Sequence, residues 1–295
     1  MTHSVRSAPD TVRAKRPHRT HAAPQGPVLR LGPVALPVHS RSLVWAGVLV
    51  LLVAAAAVAT LCLGRLGIPP ARLPAVVLGG GEATETFVLQ RLRGPRLTVA
   101  MGTGAALGLA GALFQSVTRN PLGSPDVIGL GAGAGAGAAF AALVLPGVVP
   151  VPMGALAGAA LAMVVVATVT GTGLRHPGRL IVAGIGVAAM AQAFTHFVIS
   201  VMARDQAGVL AAYVNGSLGA RSWEHAATIW VVLLLVLPLA MALAGPVAVN
   251  EMGDELADAL GARSATTRTA AVTLSVVLSA AAVSVAGPIA FVSLT

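Results

Sequence analysis

Charge is what this sequence has least of. Only 10% of its 295 residues are Asp, Glu, Lys or Arg, against 56% hydrophobic, and a soluble domain carries about 25% charged residues. Too few polar groups remain to cover a water-facing surface, so the solvent this chain is built for is lipid. A mean hydropathy of +0.85 agrees. Aromatics are scarce at 3%. Small residues stand in their place, and in lipid they let helices approach closely. The one cysteine, Cys62, lies in an apolar run, so an internal disulfide is excluded, and no Cys/His group has metal-ligand spacing. No metal or cofactor is expected. The one lysine is Lys15. Its position excludes a G-x-x-x-x-G-K-[ST] phosphate loop. Any ATP that drives this protein is bound by another chain, and no enzyme activity of its own is expected.

The net charge of +9 raises the question of nucleic acid, and its distribution argues against it. Arg6, Arg13, Lys15, Arg16, Arg19, Arg30 and Arg41 all precede the first apolar run. Beyond them there is no basic stripe with interleaved aromatics. Residues 1–42 read as a disordered basic tail, and a basic head on a membrane chain signals a cytoplasmic N-terminus.

Seven spans are expected beyond the tail: Leu43–Leu63, Leu97–Val117, about Val127–Leu145, Met153–Thr170, Leu180–Met202, Ala226–Val249 and Thr269–Ala286. Pro69-Pro70 and Gly79-Gly80-Gly81 mark a connection with room for one short helix. Pro121 and Pro125 break the chain after the second span, Pro238 bends the sixth, and Gly287-Pro288 ends the seventh. Gly104 and Gly108 form a GxxxG pair, extended by Gly111 and Ala112, which predicts a packed helix face. The run Gly129, Gly131, Gly133, Gly135, Gly137 lacks the G-x-G-x-x-G spacing of a dinucleotide loop and reads as a thin helix surface buried against neighbours. His196 has no partner at ligand spacing and is expected to be packed or pore-facing. In Asn250–Arg263, Glu251, Asp254, Glu255 and Asp258 share one face of a helix at i, i+3, i+4, i+7, with Met252, Leu256 and Leu260 opposite and Gly261 as a C-cap. Most Lys and Arg fall in inner segments. Arg91, Arg93 and Arg96 cluster outside, where they either snorkel or meet an acidic partner.

Arg93-Gly94-Pro95-Arg96, the segment Gln115-Ser116-Val117-Thr118-Arg119-Asn120-Pro121-Leu122, the Gly253-Asp254-Glu255-Leu256-Ala257 stretch with Leu260-Gly261, and Gly287-Pro288-Ile289 together resemble the permease subunit of ABC importers for iron–siderophores, haem and vitamin B12. The resemblance covers about residues 43–295. It implies an all-α polytopic membrane protein of the ten-helix type II ABC importer permease fold, sited in the cytoplasmic membrane. The implied cargo is a ferric siderophore, with haem or vitamin B12 as alternatives. It also implies roles. Arg93 and Arg96 would receive acidic residues of an extracytoplasmic substrate-binding protein. Gln115, Asn120 and Leu122 would lie at the cytoplasmic gate. Glu251, Gly253, Asp254, Glu255, Leu256, Leu260 and Gly261 would dock on a cytoplasmic ABC ATPase. A second permease copy or paralogue would complete a dimer in membrane lipid.

Several positions depart from the family pattern. Gly94 replaces Leu. Ala290 and Ser293 replace glycines of G-P-I-G-F-V-G, which implies looser or more crowded packing there. Pro177-Gly178 occupies a turn where the family has a second gate, so no gate role transfers. Seven spans against ten imply a chain incomplete at its C-terminus, and a non-functional fragment is one rival reading. A secondary transporter is another, but it would want an intramembrane carboxylate or lysine for ion coupling, and the expected spans contain none. An intramembrane enzyme is a third. Neither H-E-x-x-H nor G-x-S-x-G is present.

Overall fold

Backbone in lipid must satisfy its own N–H and C=O groups, so long uncharged runs become helices. The computed structural model describes residues 28–31, 34–37, 40–171, 177–202, 208, 210–211, 214–219, 221–289 and 292–294. Its helices are α1 (Ser40–Cys62), α2 (Leu73–Val77), α3 (Ala83–Phe87), α4 (Gly94–Thr118), α5 (Leu130–Val144), α6 (Val151–Val169), α7 (Pro177–Val201), α8 (Trp223–Glu251), α9 (Asp254–Ala259) and α10 (Ser264–Ala286). Tight 3-10 turns occupy Pro125–Ile128 and Val292–Leu294. Among the described residues, six helices are long and apolar enough to cross a membrane. The seventh apolar helix, α5, has 15 residues. At 1.5 Å per residue that is about 22 Å, short of the ~30 Å hydrocarbon core. The expected third span began at Val127. Gly129, at φ +85, separates the Pro125–Ile128 turn from the helix proper.

Three other boundaries differ from expectation. A two-stranded antiparallel hairpin, Val28–Leu31 with Val34–Pro37, lies in the tail read as disordered; residues 1–27 are outside the described residues. The connection before the second span holds two short helices. The second of these, α3, runs without a break through a π turn, Val88–Arg93, into α4. Pro95 supplies the reason: it has no N–H to give the carbonyl four residues back and its ring crowds that carbonyl, and a widened turn is a usual accommodation. The basic turn at Arg175-His176 and part of the polar stretch 203–225 fall outside the described residues.

Two packed groups are the largest in the bundle, and Phe114 of α4, Val166 of α6 and Leu180 of α7 meet in a smaller one. Val99, Leu107 and Leu113 of α4 meet Ile229 and Leu233 of α8 and Val272, Leu278 and Val285 of α10. Leu130, Ala134 and Ala138 of α5 meet Ala155 and Ala159 of α6 and Val198 of α7. Ser275 Oγ donates to the Ala110 carbonyl at 2.7 Å, which ties α10 to α4. Both prolines of α8, Pro238 and Pro246, lie inside the helix. α1 buries only Leu61.

Gly133 and Gly137 of the glycine run pack as expected, while Gly129 precedes the helix and Gly131 and Gly135 line a cavity. A Cβ on Gly137 would lie 2.1 Å from the Gly154 carbonyl oxygen, and one on Gly158 would lie 2.2 Å from that of Gly133. α5 and α6 touch backbone to backbone, which only glycine permits. The GxxxG pair of α4 differs from expectation: among the described residues of the chain, Gly104 and Gly108 are exposed and have nothing within 4 Å of a notional Cβ. The tight positions on α4 are Gly102, against Ile229, and Gly111, against the Ser293 backbone; Ala112 is exposed. The close contacts of α4 fall on the faces turned to α8 and to the Val292–Leu294 turn.

Gly137→Ala should therefore destabilise the purified protein by about 1–3 kcal/mol, the range for overpacking, while Gly104→Ala and Gly108→Ala should change it little. Thermal unfolding in detergent checks this; equal effects at all three positions would show the α5–α6 contact to be slack.

Candidate functional site

α4 carries the sequence-predicted arginines at one end and the Asn120 turn at the other. At the first end the π turn swings Arg93 towards the C-terminus of α1. Its guanidinium donates to the carbonyls of Thr60 at 2.7 Å and Leu61 at 3.3 Å, and to that of Leu63. A helix C-terminus has unpaired carbonyls and a partial negative charge, so Arg93 caps α1 from outside its own sequence. Arg96 is exposed, with no hydrogen bond or ion pair among the described residues. The two arginines thus differ: Arg93 is committed to the fold and Arg96 is free. Trp223 Nε1 donates to the Gln90 carbonyl at 2.7 Å, which fastens the start of α8 to the same π turn.

At the other end, Arg119 closes α4 in the left-handed conformation at φ +50, the one non-glycine residue with positive φ among the described residues. The Asn120 N–H donates to the Gln115 carbonyl at 3.2 Å. The Asn120 side-chain oxygen accepts from the Leu122 N–H at 2.9 Å, an Asx turn that holds the reversal. Leu122 is 74% exposed. Gln115 Nε2 reaches the Ser293 carbonyl at 3.4 Å.

The acidic stretch does not form one helix. α8 runs to Glu251, and Gly253 at φ +112 then starts α9 in a new direction. That conformation is strained for any residue with a Cβ. Glu251 therefore belongs to α8, while Asp254, Glu255 and Asp258 lie on α9. Gly261, at φ +82, comes just after the end of α9. Met252, Leu256 and Leu260 are 64%, 51% and 64% exposed. Asp254 is paired within the chain: Arg268 of α10 donates to both its oxygens, at 2.5 and 2.6 Å, and Arg119 donates to Oδ1. Hydrogen bonding from Arg268, ahead of its charge and of Arg119, holds the Asp254 carboxyl below the ordinary aspartate range. A depressed pKa stabilises the fold above the unfolded value, about 3.9, and that contribution is lost as pH falls through the folded value. At neutral pH the cluster stays intact.

Between the two ends lies a cavity of about 370 Å³, lined by Asp126, Gln192, His196, Asn215 and residues of the glycine run. His196 is exposed to it rather than packed in the core. Ser124 Oγ and Ser293 Oγ are 2.6 Å apart, and both are within 3.5 Å of Asp126 Oδ2. Ser293, where a family glycine was expected, therefore fits and hydrogen-bonds instead of crowding; Ala290 is outside the described residues. Among the described residues no group of three His, Cys, Asp or Glu could hold a metal. Sequence reasoning passed over Asp126, Arg119 and Arg268. The first two stood inside the R-N-P-L-G-S-P-D segment, but Ser293, which reaches Asp126, and Asp254, which pairs with Arg119, are more than 130 residues away.

A family model described as the FecCD transport family matches residues 49–295. The chain is 34% identical over 233 residues to the ferric enterobactin transport system permease protein FepG of Escherichia coli, an alignment covering 78% of this chain and 70% of that one. It is 33% identical over 250 residues to the achromobactin transport system permease protein CbrC of Dickeya dadantii, covering 83% and 71%. A solved structure of a putative metal-chelate type ABC transporter in an inward-facing conformation superposes with a TM-score of 0.73 at 23% identity, over 86% of this chain and 79% of that one. That last likeness is one of fold.

Arg93→Ala should lower thermal stability by about 1–1.5 kcal/mol, the net worth of a hydrogen bond, because the Leu61 carbonyl is part-buried while those of Thr60 and Leu63 are open to water, whereas Arg96→Ala should shift it by less than about 0.5 kcal/mol. Melting curves of the two variants in detergent check the difference; equal curves would mean that Arg93 does not hold α1.

Proposed function

The chain belongs to the FecCD transport family, and on that premise we propose that it is the membrane permease subunit of an importer for ferric siderophores, powered by ATP hydrolysed on separate cytoplasmic subunits. The N-terminus and the Asn120 turn are cytoplasmic and the Arg96 end is external. The single observation that carries this reading is the exposure of Met252, Leu256 and Leu260 beside Glu251 and Glu255, at the same end of the bundle as the Asn120 turn. Apolar side chains so exposed, rimmed by carboxylates, are a surface for a protein partner. The names of the relatives, which concern ferric enterobactin and achromobactin, support ferric chelates as the cargo class over haem or vitamin B12.

A binding protein delivers the chelate at the Arg96 end. Charge attraction at an exposed arginine speeds encounter more than it tightens binding. The chelate passes by way of the polar cavity at Asp126, Gln192, His196 and Asn215, where an otherwise apolar bundle offers hydrogen-bonding groups. The Asn120-Leu122 turn closes the cytoplasmic end. Two permease chains line the path together, as identical copies or as a pair of relatives. ATP binding draws two docked ATPases together and displaces the α9 loops, which opens one end of the path as the other shuts. This chain itself makes and breaks no covalent bond.

Coexpression with the cognate ATPase tests the docking. Leu256→Asp with Leu260→Asp should abolish copurification, and Glu251→Ala with Glu255→Ala should weaken it several-fold; unaltered copurification in both would remove the docking role. Arg96→Glu should slow capture of the binding protein, more at 0.01 M than at 0.15 M salt because the screening length falls from about 30 to 8 Å. Surface-plasmon association rates measure it, and a salt-independent rate would count against the assignment.

A further inference from the structure

We propose that Arg119, Asp254 and Arg268 form a charged strut through which the α9 loop moves the turn at the end of α4, with Asp254 a positioning residue rather than an ATPase contact. The inference rests on the reading of α9 as the ATPase-docking element.

Three observations carry it. First, Asp254 is already occupied. Arg268 holds both carboxylate oxygens and Arg119 shares one of them. A partner that recruited this carboxylate would have to break two internal ion pairs, while Glu251 and Glu255 stand exposed for that purpose. Second, burial is graded along the strut. The Arg268 side chain is 13% exposed, Arg119 39% and Asp254 46%. The half anchored in α10 is shielded from water, where an ion pair is least screened, and the half that reaches α4 is wet and exchangeable. Third, there is room and there are pivots. A cleft of about 560 Å³ lies between Arg119 and the residues Met252–Leu256, and another of about 360 Å³ lies between the α4 end and Glu251. Arg119 borders both clefts, and two members of the strut meet backbone at positive φ: Asp254 follows Gly253 at φ +112, and Arg119 itself stands at φ +50. Asn120 and Leu122 lie directly after Arg119, so displacement of Asp254 is delivered to the turn that closes the path.

The test uses the full-length chain reconstituted in liposomes with its ATPase and binding protein. Uptake of ferric enterobactin or ferric achromobactin, whichever the wild type transports, is measured against ATP hydrolysed. Arg119→Gln should keep ATPase copurification and hydrolysis while chelate uptake per ATP falls about two- to fivefold, the range that an exposed ion pair converts to. Arg119→Lys, which keeps the charge, should restore most of that ratio. A merely structural role would lower assembly and hydrolysis together and leave the ratio unmoved. Wild-type uptake per ATP in Arg119→Gln overturns the strut, and so does a Lys variant as uncoupled as the Gln variant. A wild-type chain that captures no ATPase overturns the docking reading and the strut with it, so the two failures are told apart.

Discussion

Everything in this molecule depends on how helices hold together in a solvent as apolar as they are. Between water and protein, burial of Leu and Val drives association; between lipid and protein that gain nearly vanishes, and close packing and polar contacts must take its place. The α5–α6 pair answers with backbone contact. Gly133, Gly137, Gly154 and Gly158 face one another so closely that no Cβ fits. The α4–α8–α10 group answers differently, with interlocked branched side chains and a few cross-helix hydrogen bonds such as Ser275 to Ala110. A short α5 is tolerable because α6 and α7 enclose much of it.

Where charge is scarce, several of the charged groups have a defined partner. Arg93 serves the open carbonyls at the end of α1. Arg72 pairs with Glu82 at 2.6 Å and Glu85 at 3.3 Å, binding the short helices of the connection. Asp126 is held by the hydroxyls of Ser124 and Ser293, and Asp254 by two arginines. The residues left over, Arg96, Glu251 and Glu255 among them, stand out for the same reason.

Much of this was legible in the sequence. Charge-free runs located the helices that cross, because a charge in mid-bilayer is too costly to keep without use. The Gly287-Pro288 break and the packing of Gly133 and Gly137 were read correctly, since both obey local rules. What could not be read was which of two glycine motifs packs. Gly104 and Gly108 carry the familiar spacing and lie open, while Gly102 and Gly111 lie against Ile229 and Ser293. Spacing fixes which residues share a face and says nothing of which neighbour the fold brings to it. The acidic stretch failed for a related reason. Its i, i+3, i+4, i+7 pattern is helical throughout, but Gly253 breaks it, and nothing in the period registers one residue's φ. Arg93 looked identical to Arg96 because its partners are backbone atoms of another helix, invisible to any motif.

The same distinction bears on how the two ends of α4 communicate. The helix has 25 residues, about 37 Å at 1.5 Å per residue, enough to join both faces of a membrane. It is gripped at each end by an arginine that reaches outside it or into its neighbours: Arg93 to the end of α1, Arg119 to the start of α9. Its middle is wedged between α8 and α10. A rod so held responds to a push at one end by tilting or sliding as a whole, because a packed core has few intermediate arrangements and tends to shift between discrete ones.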